Sequence, residues 1–266
     1  MKNLSFEPNT RAMAAQPLSR TSLGLIAFLL LVCLTVAFAP SANAANLVQN
    51  GGFEVTTGNT SSFQLLPGTG GLFAPDNWTV SGGIGCVTFP AATQAQTNAC
   101  GPNLSSLYPG WTLSQDGGNF VVMDGDHNWH GSLSQSISVV NGQSYQVSFY
   151  QAAAQFQYLN GATTEQWHVC LGSVCQDSAL MNNASHGFVP WEPQSLTFRA
   201  NTTGNEVLSF LSEGTPNGLP PAVLLDGISM QSTPEPGTLA LSLSGLLGAM
   251  GTLRSSKWFR RVRQAG

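Results

Sequence analysis

The sequence predicts an all-β fold, an antiparallel β-sandwich, set between two terminal segments of a different character. Three observations carry that expectation. Short runs of alternating apolar and polar residues recur through the middle of the chain, with Gly, Pro and Asn punctuating the intervals between them. No stretch there holds a helical periodicity of useful length. Only 8% of the 266 residues are charged, so Asn, Gln, Ser, Thr and Gly carry the polarity, a composition ordinary for an extracellular β-domain and unusual for a cytoplasmic enzyme.

In chain order, the first strand-like run is 120–123. The clearest pair is 132–140 (SLSQSISVV) and 143–151 (QSYQVSFYQ). Leu133, Ile137 and Val139 alternate with polar residues in the first, and Tyr145, Val147 and Phe149 in the second. Asn141-Gly142 between them predicts a tight hairpin, because Asn-Gly favours positive φ. Further runs are 166–171, 195–198, 206–211 and 222–230. Two long irregular stretches, 56–77 and 90–118, exceed simple connections and are expected to pack over an end or edge of the sandwich.

Cys33 falls in the N-terminal segment, leaving Cys86, Cys100, Cys170 and Cys175 in the domain. Gly172-Ser173 suits a two-residue II′ turn, with Leu171 and Val174 as the closing pair. Cys170 then faces Cys175 with Cα atoms roughly 4.5–5.5 Å apart, within disulfide reach. Cys86–Cys100 would close the other loop, though four cysteines allow three connectivities. A zinc site lacks paired C-x-x-C spacing.

Charge is divided sharply. Eight of the nine basic residues lie before residue 21 or after residue 253. Between 45 and 233 a single Arg199 stands against eleven carboxylates, a formal charge of −10, which disfavours nucleic acid and anionic lipid as partners of that segment. Arg20 precedes an apolar run, 23–39, and Ala42-Asn43-Ala44 supplies the small residues a signal peptidase reads, so 1–44 is expected to be a signal peptide cleaved after Ala44. At the other end, Pro234-Glu235-Pro236 precedes an uncharged span, 238–253, and a basic tail, 254–266. Sixteen helical residues rise about 24 Å, adequate for a temporary membrane anchor. The positive-inside rule puts the arginines in the cytoplasm and all upstream residues outside.

This ordered tripartite tail, residues 233–266, resembles the PEP-CTERM sorting signal of Gram-negative bacteria. The resemblance implies recognition and processing by an exosortase, a membrane transpeptidase. It also implies a protein tethered to the inner membrane before sorting and found afterwards at the cell surface or outside the cell. Residues 45–232 carry a second resemblance. Asn46-Leu47-Val48-Gln49-Asn50-Gly51-Gly52-Phe53-Glu54 at the start, Leu224-Leu225-Asp226-Gly227-Ile228-Ser229-Met230 at the end, and Trp78-Thr79-Val80 and Gly131-Ser132-Leu133-Ser134-Gln135 between them look like jelly-roll carbohydrate-binding modules with a galactose-binding-like fold. That family often holds a structural Ca²⁺ between its first and last strands, and Glu54 and Asp226 match its acidic positions. Asp226 also shares parity with Leu224, Ile228 and Met230, so a regular strand would aim its carboxylate at a buried face, which is costly without a partner. The alternative is a carboxylate capping backbone N–H groups. Asp124-Gly125-Asp126 reads as a solvated turn.

No catalytic motif stands out: G-x-S-x-G, H-E-x-x-H and a phosphate-binding glycine loop are all missing from the sequence. Trp167 and Trp78 read as core. Trp111, Trp129 and Trp191 read as loop or strand-end residues able to stack on pyranose rings, with Asn128 and His130 beside Trp129 to bond sugar hydroxyls. The leading expectation is therefore an exported, non-catalytic protein that binds extracellular polysaccharide. The alternatives are a structural or adhesive module and an extracellular glycan hydrolase, the last requiring two carboxylates convergent in a cleft.

Overall fold

In this computed structural model the described residues are 45–57, 63–67, 74–88, 107–157, 159–219 and 221–233. All belong to the second of the two units into which the chain divides, 44–266. They form strands β1 (Phe63–Leu65), β2 (Thr79–Gly82), β3 (Gly85–Thr88), β4 (Phe120–Asp124), β5 (Gly131–Val139) and β6 (Ser144–Gln155). The second half supplies β7 (Thr163–Leu171), β8 (Val174–Asp177), β9 (Met181–Asn183), β10 (Val189–Arg199), β11 (Gly204–Thr215) and β12 (Pro221–Ser232). One sheet runs β1-β3-β4-β12-β6-β10, the other β2-β5-β11-β7-β8 with β9 also on β7. Every pairing is antiparallel. The described residues thus form an all-β two-sheet sandwich, and no helix among them is long and apolar enough to cross a membrane. The cleavage triplet Ala42-Asn43-Ala44, the motif Pro234-Glu235-Pro236, the span 238–253 and the tail 254–266 lie outside the described residues.

The inter-sheet core follows from alternation. Leu133, Ile137 and Val139 of β5, Trp167 and Val169 of β7 and Phe210 of β11 face Val147, Phe149, Val223 and Leu225 of the first sheet. Trp78 packs on Phe53 and Phe210 and donates its Nε1–H to Asn50 O at 2.9 Å. Trp167 spans the two sheets with an Nε1–H bond to Leu224 O at 3.1 Å. Both tryptophans are buried, as the sequence predicts.

The 132–140 and 143–151 strands exist as β5 and β6, but they are not a hairpin. β5 pairs with β2 and β11 and β6 with β10 and β12, so the chain crosses from one sheet to the other between them. The turn explains it. Gln143 N bonds Val140 O at 3.0 Å, and Gly142 has φ 81° while Asn141 is not among the residues with positive φ. Positive φ at the second central position alone is type II geometry, which splays flanking strands instead of twisting them together.

The second expected hairpin does form. Leu171 pairs with Val174, Cys170 with Cys175, and Gly172 takes φ 58°. The Cys170–Cys175 disulfide is made, with Cα atoms 4.0 Å apart, slightly closer than expected. Cys86 is also disulfide-bonded, and its expected partner Cys100 lies outside the described residues.

Candidate functional site

Trp129 sits on the turn that carries the chain from β4 into β5. Two buried carboxylates build this turn, so Asp124-Gly125-Asp126 is not solvated as its polarity suggested. Asp124 Oδ1 accepts from Asp126 N at 2.8 Å, and Asp126 Oδ1 from Asn128 N at 2.9 Å. Asp126 Oδ2 accepts from Gly218 N, tying the turn to the β11–β12 connection. The Asp126 carbonyl receives both Trp129 N and His130 N. Burial lifts the Asp124 carboxyl to about 7, against the lowering effect of the bond from Asp126 N, with the charge of Asp126 adding to the rise. The backbone is clamped, while Trp129 itself is 57% exposed.

Beside this turn lies a groove of about 260 Å³ on the outer face of the second sheet. His127 and His130 form one wall, their rings 5.1 Å apart, and Leu180 stands in the lining with them. Thr164 and Gln166 of β7 and Glu213 and Thr215 of β11 make the floor, cross-linked by Thr164 Oγ1–Thr215 Oγ1 at 2.7 Å and Gln166 Nε2–Glu213 Oε2 at 2.9 Å. Asn128 and Trp129 share the turn but do not line the groove.

Trp111 and Trp191 do not join this surface, and the expectation that they present open faces is corrected. Both are buried on the outer face of the first sheet, against Phe120 at 5.4 and 5.5 Å between ring centroids. Trp191 lies within β10 and donates its Nε1–H to Thr112 O at 2.7 Å. They belong to a second apolar cluster with Leu107, Val122, Ala152, Ala154 and Leu224. The described part of the 90–118 stretch therefore covers a sheet face, where sequence placed it over an end or edge.

Beyond this cluster the same face opens into a cleft of about 730 Å³, lined by Asn46, Gln146, Ser148, Tyr150, Ser195 and Ser229 among others. Three acidic side chains surround Gly52 at its border. A Cβ built there would fall 2.8 Å from Asp116 Oδ2, 3.8 Å from Asp226 Oδ1 and 3.8 Å from Glu54 Cγ. Glu54 Oε1 accepts Asn119 N at 2.7 Å. Asp226 accepts from Ser114 Oγ and from Gly227 N, the latter at 2.7 Å. Burial pushes its carboxyl up to about 8; those two bonds pull it down, and the charges of Asp116 and Glu54 push it up again.

Asp226 reaches this place by a route the parity argument missed. One extra residue in β12 between Asp226 and Ser229, with Gly227 at φ 60°, makes a β-bulge. Val223 and Leu225 face the inter-sheet core before the bulge, and Ile228 and Met230 after it. Asp226 therefore points outward with Leu224, and no longer with Ile228 and Met230. Asp116 was missed in sequence because it lies in an irregular stretch; its Asp-Gly-Gly context, like Asn50-Gly51-Gly52, was the available signal. The donors are all oxygen and all acidic, the ligand type that Ca²⁺ takes, although one oxygen from each is not gathered within 4.8 Å of the others.

No family model matches the sequence, and no curated protein matches it. Among solved structures the chain is similar to TmCBM61, solved in complex with β-1,4-galactotriose, at 17% identity and a TM-score of 0.41, over 71% of this chain and 100% of that one. It is similar to the CBM22-1 xylan-binding domain from Paenibacillus barcinonensis at 11% identity and a TM-score of 0.36, over 73% and 97%. The K3 cleaved adhesin domain of Lys-gingipain from Porphyromonas gingivalis is similar at 11% identity and a TM-score of 0.36, over 59% and 93%. Likeness at this level assigns no ligand.

Proposed function

We propose that residues 45–232 form a non-catalytic polysaccharide-binding sandwich of an exported protein. The observation that carries this reading is the Trp129 turn: a large, flat, 57% exposed ring on a backbone that Asp126 holds rigid. Exposed tryptophan is costly to leave in water, and its apolar face suits the C–H face of a pyranose. The adjoining groove offers hydroxyl, amide and imidazole groups to sugar hydroxyls. An acidic domain favours a neutral or cation-bridged glycan over a bare polyanion.

The hydrolase alternative asks for two carboxylates in one cleft. Of the three at the large cleft's border, only Asp116 lines it, while Asp226 is fully buried beneath the surface. The arrangement suits a structural ion better than glycosidic cleavage. In this proposal Glu54, Asp116 and Asp226 hold a Ca²⁺ whose charge offsets their mutual repulsion and fastens the 114–119 loop to β12. The signal peptide delivers the domain outside the inner membrane, and an exosortase removes the tail near Pro234-Glu235-Pro236.

Affinity electrophoresis against neutral and acidic polysaccharides tests the binding claim. Base–aromatic stacking gives a comparable scale of about 1–3 kcal/mol per ring, so Trp129→Ala should weaken retardation by roughly tenfold or more. Gln146→Ala, in the large cleft of the first sheet, should leave it unchanged. Loss in Gln146→Ala alone would move the site to that cleft. Unretarded wild type in every gel would leave the structural or adhesive module in its place.

A further inference from the structure

The outer face of the second sheet carries a set of side chains that the saccharide reading does not use. His168 on β7, Asp177 on β8 and Glu213 on β11 each offer one ligand atom, and the three atoms lie within 4.8 Å of one another. Three neighbouring strands bring them together. His168 pairs directly with Asp177, and Leu211 opposite His168 places Glu213 at the next outward position of β11. The Cys170–Cys175 disulfide is the next outward pair along β7 and β8, so a covalent link fixes the register that sets His168 against Asp177. Gln166 Nε2 donates to Glu213 Oε2 at 2.9 Å and orients that carboxylate. The donors stand on a sheet, where positions are better held than on loops.

We infer that His168, Asp177 and Glu213 form a binding site for a divalent transition-metal ion of the zinc class. This does not rest on the saccharide reading, and the site is separate from the oxygen-only cluster at Asp226. One imidazole with two carboxylates is a mixed nitrogen and oxygen set, which suits zinc and its neighbours, whereas calcium and magnesium take oxygen throughout. The one Arg of the domain, Arg199, lies on β10 of the other sheet, so the two carboxylates have no fixed cation there among the described residues. The cysteines are bonded to each other and do not compete as ligands.

The geometry needs one small adjustment. His168 Nδ1 and Asp177 Oδ1 are 2.5 Å apart, joined by one hydrogen-bonding proton. A tetrahedral ion with bonds of about 2.0–2.1 Å would hold the two donors about 3.3 Å apart. The ion takes the place of that proton, and the pair opens by roughly 0.8 Å. Asp177, with its side chain 53% exposed, has room to turn that far. Three protein donors leave a fourth position for water or an outside ligand. Glu213 also lines the groove beside the Trp129 turn, so that position adjoins it.

The test uses the untagged full-length chain, stripped of metal and then saturated with Ca²⁺ to occupy the Asp226 cluster. Calorimetric titration with Zn²⁺ alone should show one equivalent bound, and Co²⁺ in its place should give visible d–d absorption. His168→Ala and Glu213→Gln should each lower Zn²⁺ affinity on the order of tenfold or more, with unchanged far-ultraviolet circular dichroism. If His168→Ala fails to fold, Glu213→Gln decides, being isosteric and outward-facing. Wild type without saturable Zn²⁺ binding overturns the inference. So does binding that survives both substitutions, which would assign the ion to His127 and His130 instead.

Discussion

Outward positions of β4, β6 and β12 carry Phe120, Val122, Ala152, Ala154, Ala222 and Leu224, whereas outward positions of β5 carry Ser132, Ser134, Ser136 and Ser138. The two sheets share one core and one alternation, yet their outer faces are built on opposite principles. The first is capped by a loop that brings Leu107 and Trp111, and the strands beneath become apolar on both sides. The second is left to solvent, with a polar surface and the clamped Trp129 turn at its margin. Coverage by a loop, more than the sheet itself, decides which face stabilises the fold and which is available for binding.

The contrast is broken most severely at the capped face. Trp191→Ala should lower unfolding free energy by about 3–5 kcal/mol, because a buried aromatic is removed from both the loop and the sheet; urea midpoints measure it. A loss near zero would mean that the cap contributes no packing. Gly227→Ala comes next, at about 2 kcal/mol, since φ is 60° and an added Cβ would lie 2.8 Å from the Tyr150 ring. It should also blunt any response to Ca²⁺ by displacing Asp226.

The carboxylates sharpen the comparison further. Burial holds Asp226 near 8, and it holds Glu165 near 8 as well, against the lowering effect of the bond from Thr163. A proton held more tightly in the folded than in the unfolded state stabilises fully below the ordinary carboxylate value of about 4, and that contribution is lost as pH rises through the folded value. In chelator, the melting temperature should therefore fall between about pH 5 and about pH 8. Ca²⁺ should raise it, most at the alkaline end where Asp226 is ionised. Asp226→Asn should abolish the Ca²⁺ effect, and Glu165→Gln should flatten the pH slope while leaving the Ca²⁺ effect in place. Identical melting curves with and without chelator at alkaline pH would reject the ion. The smallest effect belongs to the open face: Ser136→Ala and Trp129→Ala should each shift stability by no more than about 0.5 kcal/mol. A cost near that of Trp191→Ala would show that the Trp129 turn is structural.

Export is checked separately by intact mass. The secreted form should begin at Ala45 and lack Arg260, Arg261 and Arg263; their retention would exclude the sorting step.

Much of the fold was legible because period-two alternation marks strands wherever one face is buried and the other wet. β5, β7 and β11 were found this way, and Gly172-Ser173 located the Cys170–Cys175 hairpin. β3 and β4 are buried on both faces, so alternation fades there; β4 was found only as the short apolar run 120–123, β3 was not found, and β1, β8 and β9 are too short to show a period. Asn141-Gly142 misled because the dipeptide permits two turn types, and only the φ of Asn141 separates a hairpin from a crossing between sheets. Trp111 and Trp191 misled because their burial depends on a loop folding back from far along the chain. The acidic cluster was half legible: Glu54 and Asp226 could be named, but Asp116 and the outward turn of Asp226 depend on a bulge that no local pattern announces.

Strand order has a consequence in time. β12 lies between β4 and β6, and β11 lies between β5 and β7. Until the last two strands arrive, the first sheet is two separate pieces, β1-β3-β4 and β6-β10, and the second is likewise divided. Closing them requires partners about a hundred residues apart, as between β4 and β12, a topology that folds slowly. The domain therefore cannot complete itself while its C-terminal end is still being made or threaded through a membrane. A chain cut short before Gly204, lacking both β11 and β12, would present four unpaired strand edges to its neighbours, those of β4, β5, β6 and β7.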